Sequence, residues 1–179
     1  IYADDPLKKI AGFSFQEMLN YHSWIFLCGL VSQGHSGMNL AEDIRLGRIS
    51  TYLIYPFNFW EFHFASFISF QSLQLIISTL SFFILNALGL IKIPSLDILL
   101  STILYCQAVS LFWFALQFLI GILAFWLDET WVIRVIFIHL GGFLSGSILP
   151  LDFFPATFRQ IVEYTPFPYM NYYPVKMLM

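Results

Sequence analysis

Charge is scarce in this chain. Asp, Glu, Lys and Arg make up 11% of its 179 residues, against about 25% in a soluble domain. So few solvated groups cannot cover a water-facing surface, which excludes an ordinary soluble globule. The formal net charge is −3 and no basic run occurs, so the electrostatic footprint of a nucleic-acid binder is missing. Cysteine is nearly absent. Cys28 and Cys106 both lie inside apolar segments and read as small buried hydrophobes, not as a disulfide or metal ligands. No G-x-x-x-x-G-K-[ST] phosphate loop is present, which excludes nucleotide hydrolysis of the usual kind on this chain. No catalytic residues are assigned. Ser145 in LSGS does not build a G-x-S-x-G elbow, and His35 with Glu42 and Asp43 is the only near-cluster of acid and base. His22 and His139 match no metal-ligand spacing, so no metal site is assigned either.

What is abundant is apolar surface: 59% hydrophobic residues, 20% aromatic residues and a mean hydropathy of +0.76. These mark an all-α integral membrane protein. Four segments reach membrane length, about 15–33, 60–91, 97–127 and 131–149. In lipid every backbone polar group must be bonded internally, so they read as helices. Lumen-type alternation of polar residues is missing, which disfavours a β-barrel. The third segment would reach roughly 45 Å as one helix, beyond the roughly 30 Å hydrocarbon core. It must tilt, protrude, break at Gly121, or form a re-entrant pair.

The longest loop, 34–58, is polar enough to leave the membrane. Asn39-Leu-Ala-Glu42 reads as a capping box, predicting one helix of about 14 residues that ends before Pro56. Leu46, Ile49 and Leu53 share one face of it, while Leu40 and Ile44 lie elsewhere. Such a helix either touches both the membrane domain and a partner or lies on lipid. Further on, Pro155 can open a short helix. Phe154, Phe158, Ile161 and Val162 line one side, with Arg159, Gln160 and Glu163 opposite. Tyr164, Phe167, Tyr169, Tyr172 and Tyr173 then form an interfacial aromatic belt. The segment 150–174 is therefore expected at the membrane surface or dipping into it.

Polar groups inside the apolar segments are few. Glu61, His63 and Arg134 sit near segment ends and are expected to snorkel. His22 and His139 lie deeper, as neutral histidines bonded to a neighbouring helix. Gln71, Gln74, Asn86, Gln107 and Gln117 are candidates for interhelical hydrogen bonds or a cavity lining.

Two motifs carry a family resemblance. AEDIRLGRISTYLIYP, residues 41–56, is similar to the "eI+.G.i...L..P" pattern in the cytoplasmic loop of ABC-2 type permeases. LSGSILPLDFFPATFRQIVEYTPFPYMNYYPV, residues 144–175, resembles the same family's "LsG...P...fP" followed by "PF.y..y.P". The order and separation also fit the six-helix subfamily. The resemblance covers roughly residues 12–175. It implies an ABC-2 (type V exporter-like) transmembrane domain with helices two to five of six visible. The sequence would then be an internal piece of a longer protein, with residues 1–179 as a single transmembrane domain fragment. The sixth helix would begin near Lys176.

The resemblance further implies a permease subunit of an ATP-driven exporter in the cell (inner or cytoplasmic) membrane, crossing it several times. Its partners would be an ATP-binding cassette ATPase subunit, a second permease subunit (homo- or heterodimer) and the lipid bilayer. No cofactor is implied on this chain, since ATP and Mg would sit on the ATPase. The coupling role falls on Glu42, Asp43, Ile44, Arg45, Gly47 and Arg48. The external gate and helix packing fall on Gly142, Ser145, Gly146, Pro150 and Pro155. Gly142 and Gly146 also have the spacing of a close helix-packing stripe. Arg45, Arg48 and Arg134 fall on the side the family places in the cytoplasm. Lys8, Lys9, Lys92, Arg159 and Lys176 fall on the other, so the positive-inside rule leans the opposite way. The aromatic, apolar walls suggest an amphiphilic or lipid-like cargo. A membrane-embedded lipid-modifying enzyme or a non-catalytic scaffold subunit are the alternatives from other classes.

Overall fold

The computed structural model describes residues 12–33, 40–52, 54–56, 58–127 and 130–179. Helix dominates, at 75%, with no strand among the described residues. In chain order the helices are α1 (Phe15–Ser32), α2 (Leu40–Arg45), α3 (Ile49–Tyr52), α4 (Phe59–Ala87), α5 (Leu96–Ile122), α6 (Trp131–Leu144), α7 (Ala156–Glu163) and α8 (Tyr172–Leu178). Short 3₁₀ turns cover Leu123–Phe125 and Leu151–Phe153.

Carboxylates one turn in fix the starts of two long helices. Ser14 opens α1: its backbone N–H donates to Glu17 Oε2 (2.7 Å) and its hydroxyl accepts from the Glu17 N–H (3.3 Å). Glu61 reaches back at the start of α4 and accepts from both the backbone and the side-chain nitrogen of Asn58 (3.1 and 3.0 Å). Glu61 is therefore a helix cap. His63 does not snorkel as expected. It is 3% exposed and packed among the rings of Tyr52, Phe59 and Phe118.

Two helices are long and apolar enough to cross a bilayer: α4, and α5 with its 3₁₀ extension to Phe125. Of the most apolar window of α4, only 11% is buried. His63, Phe67 and Gln71, four residues apart, form its one buried stripe, while Ile68, Leu73, Ile76, Leu80, Phe83 and Ile84 stand exposed. A contiguous apolar surface of that kind needs lipid or another protein around it. At 14 residues α6 spans only about 21 Å, shorter than the 131–149 segment expected.

The helix α5 is the central element, packing against α1, α2 and α8. It does not break at Gly121. It runs on to Ile122 and only then tightens into the 3₁₀ turn. The larger core joins Tyr21, Trp24, Leu27, Cys28 and Val31 of α1 to Cys106 of α5 and to Tyr172, Val175 and Leu178 of α8. Both cysteines are free and buried. Polar bonds tie α1 to its neighbours: Gln71 Nε2 donates to the Val31 carbonyl, and the Lys92 N–H donates to Asn20 Oδ1 (3.2 Å). His139 is different, since its Nδ1 lies 2.8 Å from the Val135 carbonyl of its own helix and not of a neighbour.

Candidate functional site

The loop after α1 folds as two short helices, not one of about 14 residues. Gly47 interrupts it at φ +69°, a left-handed conformation that an L side chain enters only at a cost. Asn39 and Leu53 lie outside the described residues, so the capping box and one member of the predicted face have no structural counterpart here.

Leu40 at the start of α2 is fully buried, in a second core with Phe67 of α4 and Phe114 and Phe118 of α5. Ile44 packs against that core. The closest approach is at Gly121, where a Cβ would stand 2.9 Å from Leu40 Cδ2. That glycine is a notch into which α2 is keyed. Outward, Glu42, Arg45, Leu46 and Arg48 are exposed. So the loop is apolar on its bundle side through Leu40 and Ile44, while Leu46 on the other side has no cover.

Ion pairs hold the outward face in shape. Arg48 contacts Glu42 (2.9 Å) and Asp43 (3.4 Å), and the Tyr52 hydroxyl donates to Asp43 Oδ2 (3.0 Å). Burial first, and then that bond to Asp43, push the Tyr52 phenol up to about 12. Arg45 makes no ion pair among the described residues. It lines a cavity of about 280 Å³ beneath α2, with Glu42, Gln117, Gly121, Trp131 and Arg134. Of the six loop residues singled out in sequence, Glu42, Asp43 and Arg48 are joined by ion pairs, Arg45 and Gly47 are exposed, and Ile44 turns to the bundle, while Leu40 and Gly121, which anchor α2, were not among them. The signal was present: a glycine inside an otherwise apolar helix marks a close approach when it is not a break.

The second locus lies at the opposite end of the bundle. Gly142 and Gly146 do not form a helical packing stripe, because α6 ends at Leu144 and Gly146 is left-handed at φ +77°. Gly146 abuts Tyr21 and Tyr172, and its carbonyl accepts from the Tyr21 hydroxyl (2.7 Å). Ser145 is buried and accepts from Asn171 Nδ2 (3.1 Å). Pro150 is buried just before the 3₁₀ turn, and Pro155 caps α7.

Asp152 is the hub of this end. It contacts Arg159 (3.0 Å) and Lys176 (2.9 Å) and accepts from the Tyr172 hydroxyl (2.9 Å), while Arg159 also pairs with Glu163 (3.0 Å). Burial opposes its charge, but Lys176, Tyr172 and Arg159 together hold its pKa below the ordinary carboxylate value. Two expectations change here. Tyr172 is 2% exposed and belongs to the core, not to an aromatic belt, whereas Tyr164 is 94% exposed. The last helix starts at Tyr172 with Pro174 in its first turn, not near Lys176.

Among the described residues no group of His, Cys, Asp and Glu could hold a metal. The profile of a family described as ABC-2 family transporter protein matches residues 1–179. The chain belongs to that family. No curated protein and no solved structure matches it. As an ABC-2 family member it is a membrane-embedded transport subunit, in keeping with the exposed apolar flank of α4.

Proposed function

We propose that this ABC-2 family chain is the permease of an ATP-driven exporter, coupled through α2 and α3 to a separate ATPase subunit. One observation carries the reading: α2 is keyed into α5 at Gly121 by a fully buried Leu40 and turns Glu42, Arg45 and Arg48 outward. A short element fixed to the central apolar helix on one face and charged on the other is built to pass a push between a soluble partner and the membrane domain. The exposed charges offer charge-assisted contacts, and the Leu40–Gly121 contact carries the displacement into α5. A second permease subunit, identical or related, completes the path. ATP and Mg act on the ATPase, α2 faces the cytoplasm, and the chain crosses the cell membrane several times. The gate lies at the other end, around Gly142, Ser145, Gly146, Pro150 and Pro155.

The experiment is purification of the full-length protein from its native membrane and identification of what accompanies it. A stoichiometric subunit carrying a phosphate loop, released by Arg45→Glu and Arg48→Glu, is the expected result. A membrane protein that purifies without such a subunit overturns the reading.

A further inference from the structure

Two cavities follow one another along α5 and α6. The first, of about 280 Å³, lies beneath α2. The second, of about 540 Å³, lies between α1, α5, α6 and the segment that leads into α8. Their linings keep one register. On α5 the first takes Gln117, Gly121 and Ala124, and the second Trp113 and Gln117. On α6 the first takes Trp131 and Arg134, and the second Ile138, Gly141 and Gly142. Steps of three and four residues place each set on one face of its helix. Numbers fall along α5 as they rise along α6, so the two cavities run in line down one antiparallel seam. Gly141 is the one buried residue of α6. Gln117 is the one residue, among those described, that lines both cavities. It is 5% exposed and stands one turn from Gly121, where Leu40 of α2 is keyed. Polar side chains at membrane depth are costly and mark polar pathways. This seam gathers several: Arg45 and Arg134 line the first cavity, Ser145 and Asn171 the second.

We propose that the α5–α6 seam is a passage for polar groups through this chain, divided by the side chain of Gln117. The cavity beneath α2 is its mouth. The larger cavity is its chamber, continuous with the segment that holds Ser145 and Asn171 at the α7 end. A displacement of α2 reaches the partition directly, because Leu40 bears on Gly121 and Gln117 is the next residue along the same stripe of α5. The partition acts by bulk, so its removal joins the two cavities. The role of the passage in transport rests on the permease reading, while its existence does not require an ATPase.

The test uses the full-length protein in intact cells and in inside-out membrane vesicles. The probe is sulfonatoethyl methanethiosulfonate, a small impermeant thiol reagent, read by mass spectrometry. Gly142→Cys puts a thiol in the chamber, where an added Cβ meets nothing nearer than Ser147 Oγ at 4.0 Å. Ala124→Cys puts one in the mouth. Neither native cysteine lines either cavity. With Gln117 in place, Gly142→Cys should react from the α7 side alone and Ala124→Cys from the α2 side alone. Adding Gln117→Ala should open Gly142→Cys to the α2 side, at least about tenfold faster than before, since a thiol reacts as its thiolate and needs water to form it. Adding Gln117→Leu, similar in bulk, should leave that side closed. A Gly142→Cys thiol that reacts from neither side, or from both with Gln117 intact, overturns the proposal with no change at position 117. A Gln117→Ala protein that purifies intact and gains no reaction from the α2 side overturns it too. Sided reaction without a captured ATPase keeps the passage and removes the ATP-driven permease. A captured ATPase with an unreactive Gly142→Cys removes the passage and leaves the permease.

Discussion

Leu40 fills the space that a side chain at Gly121 would need: a Cβ there would lie 2.9 Å from Leu40 Cδ2 and 3.1 Å from its Cβ and Cγ. Two effects compete in Gly121→Ala. Helix propensity favours alanine by about 1 kcal/mol, whereas overpacking costs about 1–3 kcal/mol. The contact involves the root of the Leu40 side chain as well as its tip, so relaxation is limited and overpacking wins. The expected net loss is about 1 kcal/mol, read as a lowered Tm. Leu40→Ala removes the obstacle at its own cost of about 2–5 kcal/mol. The double variant should therefore lose less than the sum of the two singles. Strict additivity would mean that α2 is not keyed there.

Gly146 should tolerate no substitution. Its φ of +77° strains an L residue, and an added Cβ would meet the Tyr21 hydroxyl at 3.0 Å and Tyr172 Cβ at 3.2 Å. Gly146→Ala is expected to destabilise by more than about 2 kcal/mol, since strain of about 1–2 kcal/mol and overpacking act together. Tyr21→Phe leaves the Gly146 carbonyl buried without its donor and should cost about 1–3 kcal/mol. Thermal unfolding of both variants in one detergent measures the two effects. A neutral Tyr21→Phe would mean that this carbonyl finds water.

Much of this architecture was legible because hydrophobic runs report membrane helices by length alone, and the core stretches of α4 and α5 fall where the charge-free runs lie. Tertiary relations were not legible. Tyr172 reads as a belt residue until its hydroxyl is seen on Asp152. His63 reads as a snorkelling residue until three rings enclose it. The Gly142–Gly146 spacing implies a packing stripe only while the helix continues, and it stops at Leu144. For Tyr172 and His63 the spacing was known and a distant partner, Asp152 or Phe118, was not, and for the two glycines the spacing does not reveal where the helix stops.

Asp152 gives the far end of the bundle a defined acid sensitivity. Its folded pKa lies below the ordinary value, so its ionised form stabilises the fold. That contribution is complete above the unfolded pKa, near 3.9. It is lost as pH falls through the lower folded value. Asp152→Asn should therefore cost about 1–3 kcal/mol at neutral pH, the scale of charge-assisted hydrogen bonds. The gap to the parent protein should close below about pH 4. Paired melts across pH 3–7 measure this, and a gap independent of pH would mean that Asp152 contributes shape and not charge.

The orientation in the membrane follows from which end carries α2, and two exposed positions read it directly. Thr51 lies beside the α2–α3 loop and Thr157 on α7, at opposite ends of the bundle, and both are exposed. Cys28 and Cys106 are 4% and 2% exposed, so native thiols give little background to a maleimide. On intact cells a membrane-impermeant maleimide should label Thr157→Cys, and Thr51→Cys only after permeabilisation. The basic residues of the described chain are balanced, three at the α7 end (Lys92, Arg159 and Lys176) against three at the α2 end (Arg45, Arg48 and Arg134), so the positive-inside rule gives them no direction. The coupling proposal needs Arg45 and Arg48 within reach of a cytoplasmic ATPase. The reverse labelling pattern would put them outside the cell, where no ATP-driven partner can meet them, and would remove the mechanical role of the Leu40–Gly121 contact with them.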